Sequence, residues 1–112
     1  RTLERAGYRV LQAVDGAEPS WFGFPLAVRP ESGLKRDTVV RALEARRIQT
    51  RLLFAGNLTK QPVYRDVKYR TVGDLRNADY IMENVFWIGV YPGLTDDMLN
   101  YVVESLQAIV KA

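Results

Sequence analysis

A run of polar groups between residues 51 and 70 is where this chain has the means to do chemistry. Arg51, Gly56, Asn57, Lys60, Gln61, Arg65 and Arg70 gather around turns. Arginine forks onto phosphate through parallel N–H donors, and asparagine reads hydroxyls as donor and acceptor. Such a set suits a phosphorylated or hydroxyl-rich ligand. On spacing alone a plainer reading stands beside it, in which Gly56 and Asn57 merely end a strand.

Most other chemistries lack their residues. The 112-residue chain has no Cys and no His. That excludes Ser-His-Asp and Cys-His triads, disulfides, and cysteine ligands for zinc or iron–sulfur clusters within it. Ser20, beside Pro19, has no base to activate it. Asp96 and Asp97 resemble a metal pair, but adjacent carboxylates at a helix start ordinarily serve the helix dipole. No metal site and no catalytic residue are assigned. Asn57-Leu58-Thr59 matches the glycosylation acceptor pattern, yet nothing points to secretion.

Charge and hydropathy set the remaining limits. Sixteen Lys and Arg against 13 Asp and Glu leave a net charge of +3. Six of the basic residues (Lys35, Arg36, Arg41, Arg46, Arg47, Arg51) fall between 35 and 51, against Asp37 and Glu44. A small basic nucleic-acid-binding module is therefore one alternative, although a solvated helix face is the commoner origin of such a cluster. No apolar run approaches the roughly 20 residues that span a bilayer, and no basic-then-apolar leader opens the chain. A cytoplasmic domain without membrane contact is expected. The sequence begins at Arg1 within domain-like sequence, which reads as a piece of a longer protein.

These groups need elements to hold them. Leu3, Ala6, Gly7, Val10 and Leu11 recur at helical spacing and predict the tail of a helix over 1–14, closed by the Asp15-Gly16 turn. Residues 21–28 are aromatic and apolar between breakers, a strand whose Pro25 predicts an edge or a bulge. A helix over 36–47, capped by Asp37 or a polar neighbour, leads to a strand over 50–54. Residues 58–73 read as a long ordered loop of the kind that is usually functional. Asn77 is expected to cap a short helix through Asn84, ahead of the apolar strand 85–91. Thr95 caps the last helix, over 95–110, with Leu99, Val102, Val103, Leu106, Ile109 and Val110 as its buried stripe. Strands with helices between them predict an α/β (α+β) two-layer sandwich, helices on one face of a small sheet.

Three segments carry a resemblance. They are residues 19–25 (PSWFGFP), 50–62 (TRLLFAGNLTKQP) and 86–95 (FWIGVYPGLT). Together they resemble, in order, the C-terminal part of the nucleotide-sugar 3-dehydratases of the DegT/DnrJ/EryC1/StrS group. Within that group the CDP-4-keto-6-deoxyglucose 3-dehydratase type, associated with lipopolysaccharide O-antigen synthesis, is the nearest pattern. Arg76 and Ala78 depart from the commoner Pro and Thr there, which touches loop detail only.

The resemblance implies the small C-terminal domain of the type I, aspartate-aminotransferase-like fold. Residues 1–18 would end a linker helix and its turn, and 19–112 would form the small domain. An upstream large domain would hold pyridoxal or pyridoxamine 5'-phosphate. In the dehydratases a His replaces the Schiff-base Lys, a partner reductase supplies electrons, and several members carry a 2Fe–2S cluster. No ligand for that cluster, and no Lys or His anchor for the cofactor, is assigned to this chain, so the fragment alone is expected to be inactive. A homodimeric parent is implied, and a sugar aminotransferase is the rival within the family. Arg51 and Asn57 are the expected substrate contacts and Phe22 the expected cofactor contact. Gly23, between Phe22 and Phe24, would let backbone approach a ring closely.

Overall fold

The computed structural model describes residues 2–111. Its elements, in chain order, are α1 (Thr2–Arg5), β1 (Tyr8–Val10), β2 (Gly23–Val28), α2 (Arg36–Ala45), β3 (Thr50–Leu52), α3 (Arg76–Asn84), β4 (Val85–Gly89) and α4 (Asp96–Lys111). The four strands form one antiparallel sheet in the order β1-β2-β4-β3. The α/β class expected from the sequence is the one observed.

Strand alternation divides the sheet into two unlike faces. Tyr8, Leu26, Val28 and Phe86 point to one side and are fully or almost fully buried. There they meet Val39 and Leu43 of α2 and Leu106 and Ile109 of α4 in a single apolar core. Burying a side chain such as Phe86 contributes about 1.5–3 kcal/mol. The other side carries Arg9, Ala27, Val85, Trp87 and Arg51, and α3 covers only part of it. There Ala27 and Val85 are buried, and Arg9 lies 6.0 Å over the Tyr80 ring. Helices therefore pack on both faces, not on one.

Several local expectations change. The helix expected over 1–14 stops at Arg5, because Tyr8 and Val10 alternate into the sheet opposite Val28 and Leu26. Residues before 19 thus supply a strand of the domain as well as a connection. Pro25 lies in an interior strand, but past Leu26, where pairing with β1 ends and only β4 continues. Neither Asp37 nor a neighbour caps α2 through its side chain. At α3 the acceptor for Arg76 N–H is Asp74, at 3.2 Å, not Asn77. Thr95 does cap α4, its Oγ accepting from Met98 N–H at 3.3 Å. Leu99, expected in the buried stripe, is 47% exposed.

Tyr8 ties the sheet to α4 by donating its hydroxyl to Leu106 O at 3.2 Å. Burial pushes its phenol up to about 12. The folded state favours the neutral form, so this contribution is whole below pH 10 and lost as pH climbs from 10 through 12. Thermal melts of the chain across that interval should show the decline. Tyr8→Phe should flatten it, at a cost of about 1 kcal/mol at neutral pH for the lost hydrogen bond.

Candidate functional site

The half of the outer face that α3 leaves open is aromatic and basic. Arg51 on β3 pairs in register with Trp87 on β4, so both project from this side. Phe22, just before β2, sets its ring 5.2 Å from that of Trp87. Phe54, just after β3, approaches the same indole at 5.6 Å, edge-on. Phe22 and Phe54 are 83% and 79% exposed. Large rings held this open on a small domain mark a surface that something else meets.

On the Phe22 side of Trp87 is a shallow recess of about 130 Å³, lined by Phe22, Gly23, Gln49, Arg51, Trp87 and the end of β4, while Phe54 lines a second small recess toward α3 with Gly56 and Met82. The close approach expected at Gly23 is made by the protein itself. A Cβ there would lie 2.8 Å from the Trp87 ring. The recess is smaller than the 300–1,000 Å³ of a typical small-molecule site.

Its electrostatics point one way. The Arg51 guanidinium makes no ion pair or hydrogen bond among the described residues. Glu44, the nearest acid before it in sequence, accepts from Thr50 N and Oγ at 2.6 and 2.7 Å. The indole Nε1 of Trp87 is buried without an acceptor. The exposed guanidinium is the donor within reach of a ligand, and it suits an anionic, oxygen-rich group such as a phosphate.

Asn57 behaves differently. It is 4% exposed, and its Nδ2 donates to Asp79 Oδ1 at 2.6 Å. Its Oδ1 accepts from Thr59 N and Oγ at 3.0 and 2.7 Å. Lys60 joins the same Asp79 oxygen at 2.9 Å. Asn57 and Lys60 together hold the Asp79 carboxyl below its ordinary range. Of the three expected contacts, then, Phe22 and Arg51 meet at one recess, whereas Asn57 is turned inward to fasten the loop. The sequence reading missed Trp87 and Phe54. Alternation along 85–91 placed Trp87 opposite the core-facing Phe86, a signal that was available.

The basic cluster is divided: Lys35, Arg36 and Arg41 line one groove that also holds Asp37 and Glu83, Arg47 lines another, and Arg51 lines the recess. Arg36 donates to Met82 O and to Asp37, and Arg46 to Ala42 O at 3.0 Å. Arg51 lies on the sheet, whereas Arg36 and Arg41 are on α2 and Lys35, Arg46 and Arg47 flank its ends. This argues against the nucleic-acid alternative.

The chain is thus a small sheet with a packed helical face and a partly open aromatic–basic one. Solved structures share the architecture. The Escherichia coli GDP-4-keto-6-deoxy-D-mannose-3-dehydratase with bound hydrated PLP superposes with a TM-score of 0.79 at 28% identity, over 94% of this chain and 27% of that one. Among curated proteins, the lipopolysaccharide biosynthesis protein RfbH of Salmonella typhimurium is 51% identical over 86% of this chain and 22% of its own length. The dTDP-4-dehydro-2,6-dideoxy-D-glucose 3-dehydratase of Saccharopolyspora spinosa is 46% identical over 88% of this chain and 21% of its own. This chain thus spans about a fifth of the curated relatives it matches. The family model for the DegT/DnrJ/EryC1/StrS aminotransferase family covers residues 1–107. The chain belongs to that family.

A pyridoxal-type cofactor fits the open face as a neighbour. The recess has the Arg51 guanidinium for a phosphate and the Phe22 and Trp87 rings for a planar group, but no Lys among its lining residues. It can touch such a group and cannot anchor it covalently.

Proposed function

We propose that this chain is the C-terminal, substrate-enclosing domain of a pyridoxal/pyridoxamine-phosphate-dependent nucleotide-sugar 3-dehydratase. The reaction is loss of the C3 hydroxyl from a nucleotide-linked 4-keto-6-deoxyhexose, of the CDP-4-keto-6-deoxyglucose type, in deoxysugar and lipopolysaccharide synthesis. The observation that carries this reading is the 46% identity to a 3-dehydratase over 88% of the chain.

In this reading Arg51 forks onto the substrate diphosphate, and Phe22 and Trp87 present ring surface to the cofactor side of the site. The bound cofactor supplies an electron sink for departure of the hydroxyl. This chain's own part is to bind, orient and exclude water, since it holds neither the base nor the covalent anchor. A homodimeric cytoplasmic parent, a partner reductase, and a 2Fe–2S cluster ligated outside this chain belong to the same proposal. Asn57 enters it only through the loop it fastens.

The test is to incubate the intact enzyme with cofactor, a reductase system and the nucleotide-linked 4-keto sugar. Mass spectrometry should show loss of the C3 hydroxyl. A product carrying a new amino group, formed with an amino-acid donor, would instead make the parent an aminotransferase. The isolated chain with added pyridoxal phosphate should stay inactive and show no aldimine absorbance. A borohydride-stable Lys adduct on it would misplace the cofactor site.

A further inference from the structure

Phe54 is unexplained by folding alone. Its backbone is left-handed, at φ 49°, a conformation that costs a non-glycine residue and that glycine would adopt freely. Its ring is 79% exposed, so burial does not repay that strain. Strain of this kind, kept at an exposed aromatic, is characteristic of groups held for a ligand.

What keeps Phe54 in place is a pinned turn. Its N–H bonds to Leu52 O at 2.8 Å, and Gln61 Nε2 reaches back to Ala55 O at 2.8 Å. Gly56 lies so close to α3 that a Cβ there would be 2.4 Å from Met82 Cβ. The next residues are clamped to α3 through one oxygen. Asp79 Oδ1 receives both Asn57 Nδ2 and Lys60 Nζ, at 2.6 and 2.9 Å. Asp79 itself is not among the residues that line the recess, and its bonds run to Asn57 and Lys60.

We propose that Phe54 is a ligand-contact residue that stacks on a planar ring of the bound ligand, and that Asp79 is the positioning residue that holds it there through Asn57 and Lys60. This rests on the open face being the ligand-facing wall proposed above. A flat ring comes from two sources, the nucleobase of the substrate and the pyridine of the cofactor, and the shared chemistry is stacking on the exposed ring beside Trp87.

The experiment uses the intact enzyme and two titrations: KM for the nucleotide sugar, and pyridoxal-phosphate affinity by reconstitution of the apoenzyme. Phe54→Ala is expected to weaken one of them about three- to tenfold, the usual worth of an aromatic pair. A change in KM assigns the nucleobase, and a change in cofactor affinity assigns the pyridine. Phe54→Tyr should restore the value. Asp79→Ala should produce a weakening of similar size, and Phe54→Ala/Asp79→Ala should be no worse than Phe54→Ala alone. Independent, additive effects would overturn the positioning role, since a residue that only supports the fold adds its damage to any background. Should Asp79→Ala fail to fold, Asp79→Asn in the same cycle decides the point. Phe54→Ala with both titrations unchanged would overturn the contact. Arg51→Ala measured alongside separates the levels: if it weakens binding while Phe54→Ala does not, only this inference fails, and if neither does, the ligand-facing wall fails with it.

Discussion

Arg51→Lys in the intact enzyme should raise KM for the nucleotide sugar about ten- to a hundredfold and leave the melting temperature unchanged. The guanidinium is exposed and unpaired among the described residues, so the folded domain loses no interaction with it. Its backbone stays in β3 opposite Trp87. Lysine keeps the positive charge and loses the two-pronged geometry that matches a phosphate. A charge-assisted hydrogen bond is worth about 1.5–3 kcal/mol, which is the stated range in affinity. Asn57→Ala should behave in the opposite sense. It removes buried hydrogen bonds to Asp79 and Thr59, worth about 2 kcal/mol net, or on the order of 10 °C in a domain of this size. Steady-state kinetics and thermal melts on the same two proteins check both statements. A lower melting temperature with unchanged KM for Arg51→Lys would remove Arg51 from the site.

Gly56→Ala is expected to be the most damaging single methyl addition in the chain. The position has φ 61°, which an L side chain adopts only at a cost of about 1 kcal/mol or more. The added Cβ would also meet Met82 Cβ at 2.4 Å and Met82 Cα at 2.7 Å. Met82 Cα is backbone of α3 and cannot rotate away, so the turn or the helix must shift, which costs about 1–3 kcal/mol more. Together these lower stability by roughly 3 kcal/mol. Denaturant melts of the wild-type and Gly56→Ala chains measure it. A difference below about 0.5 kcal/mol, the scatter of neutral surface changes, would show that the turn is not packed on α3 as described.

How much of this was legible beforehand follows from which signals are local. The α4 stripe through Leu106 and Ile109 and the Thr95 cap are short-range patterns, and both appear where the periodicity puts them. Leu99 breaks the pattern because it lines an open groove with Ile88 and Tyr91 and is not covered there. The first strand was hidden, because Leu3, Ala6 and Val10 satisfy a helical period equally well. Only the long-range pairing of Tyr8 with Val28 and its hydroxyl bond to Leu106 choose between them. Arg51 and Phe22, named from residue type and resemblance, both line the recess, and their ligand contacts are part of the proposal. Asn57 was misjudged because a turn asparagine has the same local appearance whether it faces a ligand or, as here, an aspartate 22 residues away. Trp87 was readable from the alternation along 85–91, whereas Phe54, two residues past β3, reaches the face through its ring contact with Trp87, which no single segment encodes.

The most direct test of the account is a crystal structure of the intact enzyme with a nucleotide sugar bound. The account predicts the Arg51 guanidinium within hydrogen-bond distance of the diphosphate, and the ligand lying against the Phe22–Trp87 wall. A ligand enclosed wholly by other parts of the protein, with Arg51 in solvent and that wall uncovered, would contradict it.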